Sequence, residues 1–250
     1  MDEHTLAFIN LHAVLGCLTE LCRLDGEARQ MIAGKNVSVG FAVSNGPAGT
    51  LRFRNGECSF SEGTAGCDIK LPFGSPQKFN GLINGTVTPI PSKGFTKIGF
   101  LLKTFTPLTD RLSMYLQPRP EQLEDPDFFN TSTTMMLYVI LEALAQIGNE
   151  DKVGRHSAGY IVDGNIRLDI CGGPGGYIEA KDHRLKAHHE IPENYLSYMQ
   201  FADMTTARQL FDGKINAVAA VGLGRVRIGG MISQVDNVNR ILDRVALYLA

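Results

Sequence analysis

Phe211-Asp212-Gly213-Lys214-Ile215-Asn216, followed by Gly224-Arg225-Val226-Arg227-Ile228-Gly229, decides how this chain is read, because both stretches occur twice. The earlier version is Phe79-Asn80-Gly81-Leu82-Ile83-Asn84, then Gly94-Phe95-Thr96-Lys97-Ile98-Gly99. Two more stretches recur in the same order. Asn45-Gly46-Pro47-Ala48-Gly49 returns as Gly172-Gly173-Pro174-Gly175-Gly176, and Leu108–Leu116 returns as Ile241–Leu249 with its Asp-Arg pair and Tyr in matching places. Four matches about 130 residues apart have the period of a domain, not of a solenoid turn. The chain therefore reads as two related domains, 1–117 and 131–250. The linker 118–130 holds Pro118, Pro120 and Pro126 among acidic residues, a stiff and solvated composition.

A length of 250 residues allows each domain its own core, and 44% hydrophobic with 20% charged residues is a globular balance. A net charge of -2 without a basic run excludes a nucleic-acid binder that works by neutralising phosphates. The five cysteines, Cys17, Cys22, Cys58, Cys67 and Cys171, form no CxxC pair and read as reduced thiols. The acidic start Met1-Asp2-Glu3-His4 is unlike a signal peptide. Leu6–Leu24 is broken by polar residues and Met135–Ile147 is short for a bilayer, so no stable membrane insertion is expected and the location is read as cytoplasmic.

Periodicity supplies the elements. Thr5–Leu24 and Thr131–Ile147 carry apolar residues at spacings of three and four, as helices do. Val37, Val39, Phe41 and Val43, like Ile166, Leu168 and Ile170, alternate as in half-buried strands. Asn55-Gly56 is a hairpin turn, and Asp182-His183 takes its place in the second half. Short helices are predicted from Ser75-Pro76 and Thr205-Thr206, stopping at Gly81 and Gly213. A strand at Phe95–Phe100 or Arg225–Ile228 and a helix at Pro107–Leu116 or Val235–Leu249 close each half. The order is helix, four strands joined by hairpins, helix, strand, helix. This is an α+β class with a mostly antiparallel sheet of about five strands covered by helices.

The Gly-Pro turn, the hairpin strands, Leu210–Asn216 and Gly224-Arg225-Val226-Arg227-Ile228-Gly229-Gly230 together resemble the sterol carrier protein 2 family. The first half keeps Cys67-Asp68, Phe79–Asn84 and Gly94–Gly99, with Leu82 where Lys214 stands and Thr88-Pro89 at the following turn. The resemblance covers about 36–116 and 163–249. It implies two tandem sterol-carrier-type domains, each able to hold a sterol, fatty acyl chain or similar apolar molecule between sheet and helices. Candidate ligand-binding residues are then Phe79, Phe95, Phe100, Leu101, Phe105 and Leu108 in the first half. In the second they are Phe211, Ile228, Met231, Ile232, Val235 and Ile241. A dry, filled core is the competing reading for each domain.

Other constellations carry less. His188 and His189 point to opposite faces of a strand, so His183, His188, His189 and Glu190 do not form a metal site. Gly172–Gly176 precedes a strand and lacks the lysine of a phosphate loop. Asp110-Arg111 and Asp243-Arg244 read as ion pairs. No catalytic residue, cofactor or metal is expected, and the protein is read as non-enzymatic. One alternative is a ligand-free scaffold whose two halves pair through the apolar helices Leu6–Leu24 and Met135–Ile147, or which makes a homodimer. Another is an enzyme in the same cavity, which would need Asp203 or Asp68 beside a buried histidine.

Overall fold

The computed structural model describes residues 1–249, which form two compact units, one ending at Thr131 and one starting at Ser132. In the first, Asp2 accepts hydrogen bonds from the Thr5 amide (3.0 Å) and hydroxyl (2.7 Å) and so starts α1 (Glu3–Phe8). A π-helical turn at Ile9–Leu15 leads to α2 (Leu18–Leu24), and Leu11, Leu15, Leu18 and Leu21 are buried. After α3 (Gly26–Met31) come β1 (Asn36–Val43), β2 (Ala48–Arg54), β3 (Glu57–Glu62) and β4 (Ile69–Phe73), in the spatial order β3-β2-β1-β4. Then follow α4 (Pro76–Ile83), a 3-10 turn at Phe95–Lys97, α5 (Ile98–Phe100), a π-helical turn at Leu101–Phe105 and α6 (Thr106–Leu116).

The second unit is carried by α7 (Pro126–Glu150) and α8 (Lys152–Ala158). Its sheet holds β5 (Gly164–Ile170), β6 (Gly175–Lys181), β7 (Arg184–His188), β8 (Ser197–Phe201) and β9 (Val226–Gly230), ordered β7-β6-β5-β8-β9. Three helices complete it: α9 (Met204–Phe211), α10 (Ala217–Gly222) and α11 (Ile232–Tyr248). The two sheets are built alike. Val43 N–H donates to the Pro47 carbonyl (3.1 Å) and Ile170 N–H to that of Pro174 (2.9 Å). Ser44 and Cys171 donate across to Phe73 and Phe201, both at 2.9 Å. Asn45 (φ 53°) and Gly172 (φ 71°) take the left-handed conformation that each of these turns needs. The hairpins at Asn55-Gly56 and Asp182-His183 have positive φ at both residues, the geometry that follows strand twist.

The fourth strand is not joined by a hairpin, as the sequence order implied. β4 and β8 cross over to lie parallel to β1 and β5, and the sheets are mixed. Asp68 pins the first crossing: it accepts from Ser38 N–H and Oγ–H, both at 2.9 Å, and from Lys97 Nζ at 2.7 Å. The helical stops also fall elsewhere. Gly81 lies inside α4, and the left-handed residue after it is Gly85 (φ 69°), the counterpart of Gly213 (φ 66°). Gly81 is small for a different reason, because a Cβ there would collide with Val87. Asp203 caps α9 through the Thr206 amide (2.6 Å), as Ser75 caps α4, so the cap lies before Thr205 and Thr206. The repeat is thus offset by four residues from the match of Phe79 with Phe211. Helix α7 begins at Pro126 because Asp125 accepts from the Asp127 amide (2.9 Å), which makes 126–130 helix and not linker.

The largest departure is at Phe95–Phe100, which is helical where a strand was predicted. Its apolar residues Phe95, Ile98, Leu101, Leu102 and Phe105 recur at three and four, whereas Val226 and Ile228 alternate with arginines. The neighbouring edge also refuses a strand. Lys70 faces outward to Ser92 and Lys93 through two backbone bonds of 2.8 and 3.2 Å. Two residues on, Pro72 presents the same edge without an N–H, so the ladder stops. In the second unit Gln200 holds that place and pairs with Arg227. The sheets therefore have four and five strands.

The repeated Asp-Arg stretches form a clasp in each unit. Asp25 caps α3 through the amides of Glu27 (2.8 Å) and Ala28 (3.2 Å) and is gripped by Arg111 Nε (2.5 Å). Asp151 caps α8 through Val153 and Gly154, both at 2.9 Å, and holds Arg244 Nε (2.7 Å) and Tyr248 Oη (2.8 Å). Burial alone would raise both carboxyls. In Asp25 the bonds from Arg111 and Tyr115, and in Asp151 those from Arg244, the Gly154 amide and Tyr248, outweigh it and keep both below the usual carboxylate range. Burial, then the bond to Asp25, pushes the Tyr115 hydroxyl up to about 12. Each clasp ties the last helix to the start of a short early one.

Candidate ligand cavity

The second unit contains a cavity of about 770 Å³ between its sheet and its helices. Its floor follows from strand alternation: Leu168 of β5, Met199 and Phe201 of β8, and Val226 and Ile228 of β9 share one face. One wall is Met136, Leu137 and Ile140 of α7. The opposite wall is α11, where Ile232, Val235, Leu242, Ala246 and Leu249 form a stripe at helical spacing. Leu210 and Phe211 close the α9 end, and Ala217, Val218 and Val221 of α10 lie over the opening. The opening is apolar as well, since Val218 and Ile232 are 80% and 68% exposed.

Helix α11 has a second apolar face for the core, made of Val238, Ile241 and Tyr248, all buried, while the buried Val245 also reaches the cavity lining. This explains where the second-half candidates fall. Phe211, Ile228, Ile232 and Val235 line the cavity. Ile241 lies on the core face, where its side chain meets Gly148 of α7, and Met231 is the N-cap residue of α11, away from the lining. The α7 residues are outside that candidate set, although the helix is apolar on more sides than a surface helix needs. Helix α10 starts at Asn216, whose side chain accepts from the Ala219 amide (3.0 Å).

In the first unit the candidates Phe79, Phe100 and Phe105 pack on phenylalanine rings of the sheet. Phe41 stands where Leu168 stands in the second, and its ring is 6.2 Å from that of Phe79 and 6.0 Å from that of Phe105. Phe53 meets Phe100 at 5.4 Å and Phe105 at 6.2 Å, and Phe73 meets Phe79 at 5.1 Å. Leu108 is fully buried, Leu101 is half-buried and Phe95 is 61% exposed. Edge-to-face rings at these separations are stable, close-packed contacts.

Polar candidates hold structural partners. His188 Nε2 is 3.1 Å from Glu179 and stacks on Tyr177, while His189 stacks on Tyr138 and lies 3.4 Å from Glu142. Among the described residues no group of three or more His, Cys, Asp or Glu is placed to hold a metal ion. In the glycine turn, a Cβ on Gly176 would strike the His188 carbonyl and Leu141, so the residue serves close packing. None of the five cysteines is in a disulfide, and a hydrogen bond with Cys22, then burial, raises the Cys58 thiol. Two helices, Glu3–Leu24 and Pro126–Glu150, are long and apolar enough to cross a membrane, and 67% and 56% of their most apolar windows are buried within the protein.

No protein-family model and no curated protein matches the chain. Solved structures do. The sterol carrier protein domain 2 of Helicoverpa armigera is 16% identical over 44% of this chain and 88% of that one, with a TM-score of 0.37. The sterol carrier protein 2 of Yarrowia lipolytica is 16% identical over 43% and 89%, with a TM-score of 0.33. A ubiquinone synthesis protein, UbiJ-SCP2, is 14% identical over 43% and 91%, with a TM-score of 0.34. The solved structures that this chain resembles include several sterol carrier protein 2 domains. Each of these three covers less than half of the chain.

Proposed function

We propose that the second unit binds and carries one apolar, lipid-like molecule in its cavity, and performs no reaction on it. The observation that carries this reading is the cavity itself: about 770 Å³, walled on sheet and helices by apolar side chains. That volume lies within the range of small-molecule sites, and methionine at two wall positions suits an irregular guest. Burying a dozen methylenes gains about 10 kcal/mol at about 0.8 each. Ordering and association cost about 4 kcal/mol or more, which leaves about 6 kcal/mol, so a dissociation constant of tens of micromolar is expected.

The first unit is, on this reading, a second sterol-carrier-type copy with aromatic rings in the corresponding space. It serves as a structural partner, and one ligand binds per chain. Asp203 and Asp68, the carboxylates an enzyme would have used, are engaged in a helix cap and a crossover clamp. Five cysteines outside any disulfide agree with a reducing, cytoplasmic setting.

Native mass spectrometry of the purified protein, followed by organic extraction, tests the proposal. One co-purified sterol-like, acyl or quinone molecule per chain is the expected result. A ligand-free mass that stays unchanged with a panel of lipids would remove the carrier and leave a scaffold or homodimer.

A further inference from the structure

The polar side chains on the cavity lining are acids and one amide: Asp212, Asp236, Asn239 and Asp243. Among the described residues no lysine, arginine or histidine lines it. Three of the four come from α11 at positions 236, 239 and 243, so they share a face beside the apolar stripe. Two carboxylates are compensated from behind. Asp212 pairs with Arg208 and Lys214, both at 2.9 Å, and Asp236 pairs with Arg240 at 3.1 Å. Asp243 and Asn239 have no hydrogen-bond or ion-pair partner among the described residues.

A lipid in this cavity lays its tail on the sheet and α7 and meets these groups with its head. A carboxylate or phosphate head would then face the uncompensated Asp243, with no cation on the lining to receive it. A hydroxyl or amine head would instead donate to the Asp243 carboxylate or to Asn239 Oδ1, and bonds to an ionised acceptor are the stronger ones. We propose that the cavity selects an apolar molecule whose head donates hydrogen bonds and bears no negative charge, and discriminates against anionic lipids. The cavity is the site, the acids set which head it admits, and the inference rests on the carrier reading.

The test compares matched twelve-carbon probes, dodecanol and dodecanoate, on the full-length protein at pH 7.5 by competition in native mass spectrometry. Dodecanol should bind about tenfold or more tighter, a ratio worth about 1.4 kcal/mol per tenfold. Asp243→Asn should narrow the ratio, and Asp243→Lys should reverse it in favour of dodecanoate. Asp243 is exposed, so both variants should keep the fold, which circular dichroism verifies. Equal or tighter dodecanoate binding by the unmodified protein, or an unchanged ratio in Asp243→Lys, would overturn the head-group inference and leave the carrier standing. Binding of neither probe would overturn both.

Discussion

At the scale of single residues, the clasps are sensitive points of the fold. Asp25 and Asp151 are almost wholly buried, each between a helix start, an arginine and a tyrosine. Removing one member of such a buried pair leaves the other charge uncompensated. Asp151→Asn should therefore cost about 3 kcal/mol, measured by urea unfolding at pH 7. Both carboxyls titrate below their unfolded values, so the folded chain holds fewer protons near pH 4 than the unfolded one. The stability they supply is complete above the unfolded value and is lost as pH falls below about 4. Acid unfolding followed by circular dichroism should show this loss, and a double Asp25→Asn, Asp151→Asn variant should show less of it. A smaller effect belongs to Gly85, which is left-handed with open space around its Cβ position. Gly85→Ala should cost about 1 kcal/mol through backbone conformation alone, again by urea unfolding. The sequence shows a Gly near each helix end, but only φ distinguishes Gly85, which stops α4, from Gly81, which packs against Val87.

Among the elements, the legible ones were those with one unbroken period. Strands β1 and β5 alternate plainly, and the Gly-Pro turns after them recur in place, so both were read correctly from side chains alone. The segment Phe95–Phe100 resembles Gly224–Gly229 in residue types but carries helical spacing, and it is helical. The reason lies in another element: Pro72 closes the edge of β4, a fact about backbone donors that no local pattern in Phe95–Phe100 contains. The cavity was half legible. Phe211, Ile228, Ile232 and Val235 lie in the stretches that repeat, whereas Met136, Ile140 and Leu168 reach it from elements far off in the chain. Helix α10 is the least anchored wall, with Ala220 its buried residue and Val218 facing water. Its amides should exchange with solvent faster than those of α7, and a bound ligand should slow α10 more than α7. Hydrogen exchange by mass spectrometry measures both, and equal slowing of the two helices would contradict the placement of α10 over the opening.

For the whole molecule, the two units hold sheets of one plan with different interiors. The first unit spends its interior volume on six phenylalanine rings, and the second leaves about 770 Å³ open beside Leu168. Carrying the first unit's choice into the second should close the site. Leu168→Phe should lower lipid affinity by about tenfold or more, with unfolding stability kept or raised, because the added ring fills space that is otherwise empty. Isothermal titration and urea unfolding on the same preparation separate these two effects. The most direct measurement of the central claim uses the methionine methyl groups as reporters, since Met136 and Met199 line the cavity while Met31 and Met114 belong to the first unit. With methyl-labelled methionine, adding one equivalent of dodecanol should shift the Met136 and Met199 signals and leave those of Met31 and Met114 in place. Shifts confined to the first unit, or no shift at saturating probe, would contradict a ligand cavity in the second unit.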